Sequence, residues 1–215
     1  MKLYDYWRSS SSYRLRIALA LKGITPDERI FVHLVRNGGE QNGGAFRAVN
    51  PQGRVPSVVL DSGDTLIQSP AIIEYLEETH PEPPLLPRDP VARAKVRAVA
   101  AIIGCDIHPL HNAALLTYLR KTLGQDDAAV SAWIARWIGD GFAAVEALIG
   151  VSGFCFGEAP TLADAYLIPQ LYAARRFKVP LDSYPCIRRV DALAGAHPAF
   201  QEAHPDRQPD AETAA

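Results

Sequence analysis

The sequence has few of the features that mark secreted, membrane-spanning or nucleic-acid-binding proteins. Its three cysteines, Cys105, Cys155 and Cys186, stand far apart without a C-x-x-C pair, so neither a disulfide framework nor a typical zinc site is expected. No apolar run approaches the roughly 20 residues that span a bilayer. Asp5 and Arg8 lie where a signal peptide would need its apolar segment. We therefore predict a cytoplasmic protein with no membrane partner.

An excess of positive charge is also absent. Lys and Arg together number 22 and Asp and Glu 24, which gives a formal net charge of −2. Proteins that bind nucleic acid normally carry a strong basic excess because they must neutralise phosphates. We therefore predict no nucleic-acid partner.

A proline-rich segment divides the chain into two stretches of different character. Residues 80–90 contain five prolines, which can neither continue a helix nor occupy a central strand. A chain of 215 residues is long enough to build two small cores. The predicted organisation is a first domain over residues 1–80, a linker over residues 81–90 and a second domain over residues 91–215.

The first stretch alternates strand and helix signals, with a hairpin near its end. The order β-α-β-(α)-β-β-α predicts an α/β domain. Ser69 is predicted to be the N-cap of the last helix, with Pro70 at the first helical position. The predicted elements are Lys2–Tyr6, Ser12–Lys22, Glu28–Leu34, Ala45–Val49, Pro56–Leu60, Thr65–Ile67 and Ser69–Glu78.

The second stretch loses the strand signals and predicts an all-α bundle. Thr161 is followed three places later by Asp164, a close variant of the capping box at a helix start. The segment from His204 to Ala215 is polar and interrupted by proline, and we expect it to fray. The predicted helices are Asp89–Leu123, Asp126–Ile149, Thr161–Phe177 and Ile187–Ala194.

Four consecutive serines, Ser9–Ser12, lie between the first strand and the first helix, directly after Arg8. Serines favour turns and N-caps, so one or two have a structural explanation. A helix N-terminus also carries about +0.5 of a charge and free N–H donors, which suits a bound anion. A hydroxyl there can lower the pKa of a thiol from about 8.5 by donating to the thiolate. Both interpretations, turn and anion site, stay open at this point.

Cys105, His108 and His111 recur at three-residue steps and could in principle ligate zinc. Pro109 interrupts the helix there, and no fourth ligand is evident. We therefore predict no metal site, and interpret these side chains as the polar lining of a cleft between the two predicted domains.

Three motifs carry a resemblance to a known family: Arg8–Leu19, Asn50–Pro56 and Gln68–Leu76. Together they resemble the zeta-class glutathione transferases, the class that contains the maleylacetoacetate and maleylpyruvate isomerases. Gln68-Ser69 and Thr161–Asp164 mark glutathione transferases broadly, whereas the serine-rich motif is specific to the zeta class. The resemblance runs from Lys2 to about Pro209.

The resemblance implies a thioredoxin-like N-terminal domain that binds glutathione as cofactor, an all-α substrate-binding domain and a homodimer. Ser9, with Ser10 beside it, would support the glutathione thiolate. The backbone of Val55, before a cis proline, would pair with the cysteinyl part. Gln68 and Ser69 would hold the γ-glutamyl end. The remaining implied glutathione contacts are Ser11, Gln41, His108 and Asn112.

The implied activity is cis–trans isomerisation of a maleyl keto-dicarboxylate, maleylacetoacetate or maleylpyruvate, during catabolism of aromatic compounds such as aromatic amino acids. Arg8 and Arg176 would each clamp a carboxylate, because an arginine fork binds carboxylates bidentately. The alternative for any arginine is a surface salt bridge. Two other functions stay open: a general transferase that conjugates haloacids or other electrophiles, and a non-catalytic interaction module. Ser11 stands where the class usually has cysteine, which puts thiol-dependent side activities in doubt.

Overall fold

A computed structural model describes residues 1–212, and the chain forms two compact units. Unit 1 contains Met1–Pro84 together with the C-terminal segment from His197, and unit 2 is Leu85–Ala196. This division differs from the predicted one, which assigned everything after residue 90 to the second domain. The last residues of the predicted fraying segment, Thr213–Ala215, lie outside the described part of the chain.

Unit 1 is built on a four-stranded mixed sheet in the order β2-β1-β3-β4. β1 pairs in parallel with β2 and antiparallel with β3, and β3 pairs antiparallel with β4. Leu3 and Val58 are opposite each other and buried, so apolar positions of the two central strands help to form the core. The predicted α/β order is confirmed. The elements are β1 (Lys2–Asp5), α1 (Ser10–Leu21), β2 (Glu28–Phe31), α2 (Gly44–Val49), β3 (Ser57–Val59), β4 (Thr65–Ile67) and α3 (Ser69–Thr79).

Several boundaries in unit 1 differ from the prediction, and the starts of α1 and α3 differ for local reasons. α1 begins at Ser10 instead of Ser12, because Ser9 already serves as its N-cap. β2 ends at Phe31 instead of Leu34. Ser69 is the first residue of α3 and not its cap; Gln68 occupies the cap position in a left-handed conformation (φ 68°). A non-glycine residue at positive φ is uncommon, and no sequence pattern around Gln68 indicates it.

Unit 2 is helical, as predicted, but its first helical stretch is broken into four parts. The π turn Ile102–Ile107 follows α4, and the 3-10 turn His108–His111 precedes α5. Pro109 lacks an N–H donor for a continuous helix, and Asn112 caps a new helix start. The capping box of Thr161 and Asp164 is confirmed. The α-helices are α4 (Pro90–Ala101), α5 (Ala113–Lys121), α6 (Asp127–Leu148), α7 (Leu162–Arg176) and α8 (Pro185–Ala196).

The stretch Pro90–Lys121, taken as a single helix, is long and apolar enough to cross a membrane by length and composition alone. This is weak evidence, since the core helix of a soluble protein passes the same test. Its first turns carry Arg93, Lys95 and Arg97, and buried Ile103 and Ile107 contribute to the core of unit 2. The expectation that no stretch approaches membrane-spanning length is therefore not met by Pro90–Lys121.

The C-terminal segment is packed and not frayed as far as Glu212. Helix α9 (Pro198–Ala203) lies against α1, and a 3-10 turn, Pro205–Arg207, follows it. Gln208 is buried and is held by several hydrogen bonds. The prediction of a fraying tail is thus wrong for residues 204–212, because polar side chains of the segment find partners in unit 1.

Candidate active site

The start of α1 presents hydrogen-bond donors with nothing to bind. Ser9 is in an extended conformation, and its Oγ accepts from the Ser12 N–H at 3.3 Å. The Ser9 hydroxyl proton has no acceptor among residues 1–212. The backbone N–H groups of Ser10 and Ser11 likewise make no hydrogen bond with any described residue, as expected in the first turn of a helix. The donors and the helix dipole together suit an anion.

Arg8 adds a positive charge beside these donors. Its guanidinium carbon lies 5.4 Å from the centroid of the Trp7 ring, an ordinary cation–π distance. Arg8 forms no ion pair with the residues that the structure describes. Arg16, by comparison, is buried on the same helix and pairs with Asp5 at 2.9 Å. The charge of Arg8 is therefore available to a ligand.

The loop Asn50–Pro56 presents an unpaired stretch of extended backbone. The Val55-Pro56 peptide bond is cis, as the resemblance implied. Neither the N–H nor the C=O of Val55 makes a hydrogen bond within residues 1–212. Asn50 holds the loop from inside: its amide donates to the Arg54 carbonyl at 2.6 Å and to the Ser57 hydroxyl at 3.1 Å. This arrangement leaves the Val55 backbone ready for β-like pairing with a peptide.

Gly53 is required in that loop for two reasons. Its φ is +64°, a conformation that L side chains rarely adopt. A Cβ at this position would also lie 2.9 Å from the carbonyl oxygen of Gln41 and closer still to the Arg47 side chain. The glycine thus lets the loop approach the segment that carries Gln41.

Gln68 and Ser69 are brought to the same region by α3. The Ser69 hydroxyl accepts a hydrogen bond from buried Arg14 of α1 at 3.1 Å. The Gln68 side-chain amide donates to that of Gln52 at 2.5 Å, which places it beside the Val55 loop. Gln41 bonds the Leu34 carbonyl through its amide nitrogen at 3.3 Å, and its Oε1 is buried without a hydrogen-bond partner among the described residues.

The predicted site residues Asn112 and Arg176 belong to unit 2. Asn112 has a structural role: Oδ1 accepts from the Leu115 N–H at 3.0 Å and the amide donates to the Pro109 carbonyl at 2.8 Å. The guanidinium carbon of exposed Arg176 lies 4.8 Å from the centroid of the Phe177 ring. The contacts of Asn112 and Arg176 with ligands stay predictions.

His108 and His111 pack edge to face, with ring centroids 5.5 Å apart. His111 is buried, and its Nε2 lies 3.0 Å from Oε1 of Gln170. Burial lowers the pKa of His111, and the nearby positive charge of Arg176 acts in the same direction. Cys105 is exposed. Within residues 1–212 no group of three or more His, Cys, Asp or Glu side chains could hold a metal ion.

Sequence reasoning missed the residues that support the site from behind. Arg16 is buried and bonds the carbonyls of Tyr6 and Trp7, and Asp210 accepts from the Trp7 N–H at 2.9 Å. Asp210 and Trp7 are 203 positions apart in the sequence, so no local pattern could reveal their contact. In unit 2, Gln170 fixes His111 across 59 positions.

Unit 1 therefore combines several groups that have no partner among residues 1–212: a helix N-terminus with a free hydroxyl, an arginine without a counter-charge and an extended backbone. A cluster of amide and hydroxyl groups lies beside them. These features fit the parts of glutathione: a thiolate, a peptide backbone and a charged γ-glutamyl end. The fit rests on unsatisfied donors and acceptors at defined positions, which an ordinary protein interior would pair.

Comparisons with known proteins agree with this geometry. Residues 8–79 match the family model of the glutathione S-transferase N-terminal domain. The chain is 61% identical over 210 residues to maleylacetoacetate isomerase of Pseudomonas aeruginosa, with 98% of each chain covered. It is 55% identical over 215 residues to maleylpyruvate isomerase of a Ralstonia species, covering 98% of this chain and 99% of the relative.

Solved structures give the same picture. A holo maleylpyruvate isomerase, a bacterial zeta-class glutathione transferase, superposes with a TM-score of 0.94 at 54% identity, covering 99% of this chain and 100% of that one. Maleylacetoacetate isomerase from Anaeromyxobacter dehalogenans with glutathione in its active site gives 0.87 at 47%, covering 98% and 97%. The fold is that of a glutathione transferase. The chain belongs to the zeta-class family that includes the maleylacetoacetate and maleylpyruvate isomerases.

Proposed function

We propose that this protein is a glutathione-dependent cis–trans isomerase that converts a maleyl keto-dicarboxylate, maleylacetoacetate or maleylpyruvate, into its fumaryl isomer. The observation that carries the proposal is the start of α1, where the Ser9 hydroxyl keeps a proton to donate beside two free backbone N–H groups. Full-length identity to isomerases of both substrates supports the reaction class. Bound glutathione in a related isomerase supports the cofactor.

Glutathione, when bound, supplies a nucleophilic thiolate that adds reversibly to the conjugated cis double bond, so that the bond can rotate before the thiolate leaves. Ser9 donates its hydroxyl proton to that sulfur, and the helix dipole stabilises the same negative charge. Val55 pairs its N–H and C=O with the cysteinyl part of the tripeptide. Gln68 and Ser69 hold the γ-glutamyl end.

The second charged ligand is the substrate, which has two carboxylates. Arg8 orients one of them and offsets negative charge that develops on the neighbouring keto group. Arg176 is proposed to bind the other carboxylate, since its fork suits bidentate contact. Ser10, Ser11, Gln41, His108 and Asn112 are proposed as further contacts of glutathione.

The test is the rate of isomerisation of both maleyl acids with and without glutathione, in wild type and in Ser9→Ala. The wild type should turn over at least one acid only when glutathione is present. Ser9→Ala should lower kcat about 100-fold, as loss of a donor to a developing or bound anion does, with a much smaller change in glutathione affinity.

Ser12→Ala is the matched control, because the Ser12 hydroxyl is buried in the same turn without a hydrogen-bond partner among the described residues. It should keep the wild-type rate. Unchanged turnover in Ser9→Ala would remove Ser9 from the mechanism. Dichloroacetate turnover faster than that of either maleyl acid would instead support the general transferase.

We propose further that the enzyme works as a cytoplasmic homodimer in the catabolism of aromatic compounds. The support for the compartment is the chain's dependence on reduced glutathione and its three free cysteines, one of them exposed. Sedimentation at micromolar concentration tests the dimer, and a mass equal to one chain would contradict it.

A further inference from the structure

The loop that carries Arg8 and Ser9 is held by groups on both sides of one residue, Trp7. The Trp7 carbonyl accepts from Nη2 of Arg16 at 2.8 Å, and the Trp7 N–H donates to Oδ2 of Asp210 at 2.9 Å. Trp7 itself is buried. Both backbone polar groups of Trp7 are therefore fixed by side chains that lie outside the loop.

The carboxylate of Asp210 is held in place by the turn before it. The buried side chain of Gln208 donates to the carbonyls of Glu202 and His204 at 2.9 and 2.8 Å, and its Oε1 accepts from Arg29 at 2.7 Å. The Ala211 N–H closes the turn on the Gln208 carbonyl at 2.9 Å. Asp210 thus projects from a rigid turn and not from a loose end.

The same network joins this turn to the sheet and to α1. Arg29 bonds Asp5 as well as Gln208, and Arg16 bonds both Asp5 and the Ala203 carbonyl, the latter at 3.0 Å. Asp5 is fully buried at the end of β1. Beyond Asp210, Glu212 accepts from Arg36 at 2.5 Å, which anchors the far end of the segment.

We infer that residues 208–212 form a clamp that fixes the β1–α1 loop, and that Asp210 is a positioning residue for the thiolate-binding donors of Ser9. The geometry supplies the reason. Ser9 follows Trp7 by two residues, its N–H donates to the Tyr6 carbonyl at 3.1 Å, and its hydroxyl direction depends on a backbone conformation of φ −71° and ψ 122°. Releasing Trp7 frees that backbone. Displacements of about 1 Å at a reacting group can cost about 100-fold in rate.

This inference rests on the proposed function only for its ligand, glutathione, so its test reads the loop and the bound sulfur directly. Three variants are compared with wild type: Asp210→Ala, which removes the acceptor; Asp210→Asn, which keeps a neutral acceptor; and Asp206→Ala. Asp206 is an exposed aspartate of the same segment. It is the matched control.

Hydrogen exchange of the peptide containing Trp7 is measured in the ligand-free protein, and the pKa of bound glutathione is measured by the ultraviolet absorbance of its thiolate. Asp210→Ala should speed exchange about tenfold, because the Trp7 N–H loses its acceptor. It should raise the pKa of the bound thiol by about 1, since the Ser9 donor is no longer held in place. It should lower kcat about tenfold, with KM for the dicarboxylate within about twofold. Asp210→Asn should recover most of each change, and Asp206→Ala should show none.

Unchanged exchange and thiol pKa in Asp210→Ala would overturn the clamp, even if its melting temperature fell. Equal losses in Asp206→Ala would also overturn it, because the effect would then not belong to the Trp7 contact. A wild type that ionises bound glutathione without isomerising either maleyl acid would instead contradict the proposed function. The exchange and pKa measurements would still decide the clamp in that case.

Discussion

The N-termini of α1 and α7 begin with similar chemistry and use it in opposite ways. At α7 the Asp164 carboxylate is fully buried and accepts from the Cys155 N–H at 2.8 Å, the Thr161 N–H at 2.7 Å and the Thr161 hydroxyl at 2.9 Å. At α1, Ser9 makes one longer bond of 3.3 Å and keeps its own proton. α7 completes its hydrogen bonds within the protein, whereas α1 leaves donors for a ligand.

A polar side chain at a helix start can complete the hydrogen bonds of the fold or keep a donor for a ligand. The Asp164 carboxylate of the capping box satisfies several donors, while the Ser9 hydroxyl satisfies one and can still donate. Removing the capping-box carboxylate of α7 should therefore cost stability, and changes around the start of α1 should cost activity.

The largest effect is expected from Asp164→Ala. This variant leaves two backbone N–H groups and one hydroxyl buried without an acceptor, which should lower the free energy of unfolding by about 4 kcal/mol. Urea titration measures the loss, and the rate per folded molecule should stay within about twofold. Asp182→Ala, a change at an exposed aspartate of the same unit, is the control. A loss below about 1 kcal/mol would show that the two caps do not differ in the way described.

A smaller effect, on activity alone, is expected at Arg8. Arg8→Gln should reduce kcat/KM about 30-fold through loss of a carboxylate contact, and Arg8→Lys should recover only part of it because lysine lacks the fork. Stability should change by less than about 0.5 kcal/mol, since Arg8 forms no ion pair within the part of the chain that the structure describes. Steady-state kinetics and urea titration provide the two numbers.

Arg136 offers the control for the two Arg8 variants, because it forms an exposed ion pair with Asp140 one helical turn away. Arg136→Gln should leave both kcat/KM and stability nearly unchanged. If Arg8→Gln lowered stability and left kcat/KM intact, Arg8 would be a structural residue and the contrast between the two helix starts would fail.

The smallest effect is expected from His111, which is buried and forms a hydrogen bond with Gln170 of α7. Burial lowers the pKa of His111 in the folded protein, so the unfolded chain binds the extra proton first as pH falls. This loss of stability is absent above about pH 6.5, the pKa of the histidine in the unfolded chain, and it grows as the pH falls below that value. Wild type should lose about 1 kcal/mol more than His111→Gln between about pH 7.5 and about pH 5.5.

Urea titration at the two pH values measures that difference, with His80→Gln at an exposed histidine as the control. Equal losses in wild type and His111→Gln would mean that His111 accepts its proton without cost. The polar groups along α7 would then be less closed to solvent than the structure indicates.

The order of elements could be predicted because strand alternation, helical spacing and caps are local signals. The same local chemistry raised an anion site at Ser9 as one of two interpretations, and that site stays a prediction. The start of α3 was misplaced because the positive φ of Gln68 has no signature in an ordinary side chain. The π turn Ile102–Ile107 was missed because its hydrogen-bond register leaves the apolar spacing of a helix almost unchanged.

The support of the site could not be predicted, because its partners are brought together only by the complete fold. Asp210 and Gln208 stand in a polar segment whose sequence is typical of a disordered tail. Their hydrogen bonds are with Trp7 and Arg29, which are about 200 and 180 residues away. Buried arginines such as Arg16 are equally hidden, since basic residues are mostly exposed.

The discontinuity of unit 1 has a consequence for the order in which the protein matures on the ribosome. Its first 84 residues emerge early, but α9 and the turn at Gln208 emerge only after all of unit 2 has been synthesised. Domains generally fold as units during synthesis. On the proposed clamp, the β1–α1 loop therefore acquires its final rigidity only at the end of translation, and a prematurely terminated chain would carry every proposed glutathione contact of unit 1 without Asp210 to hold the loop.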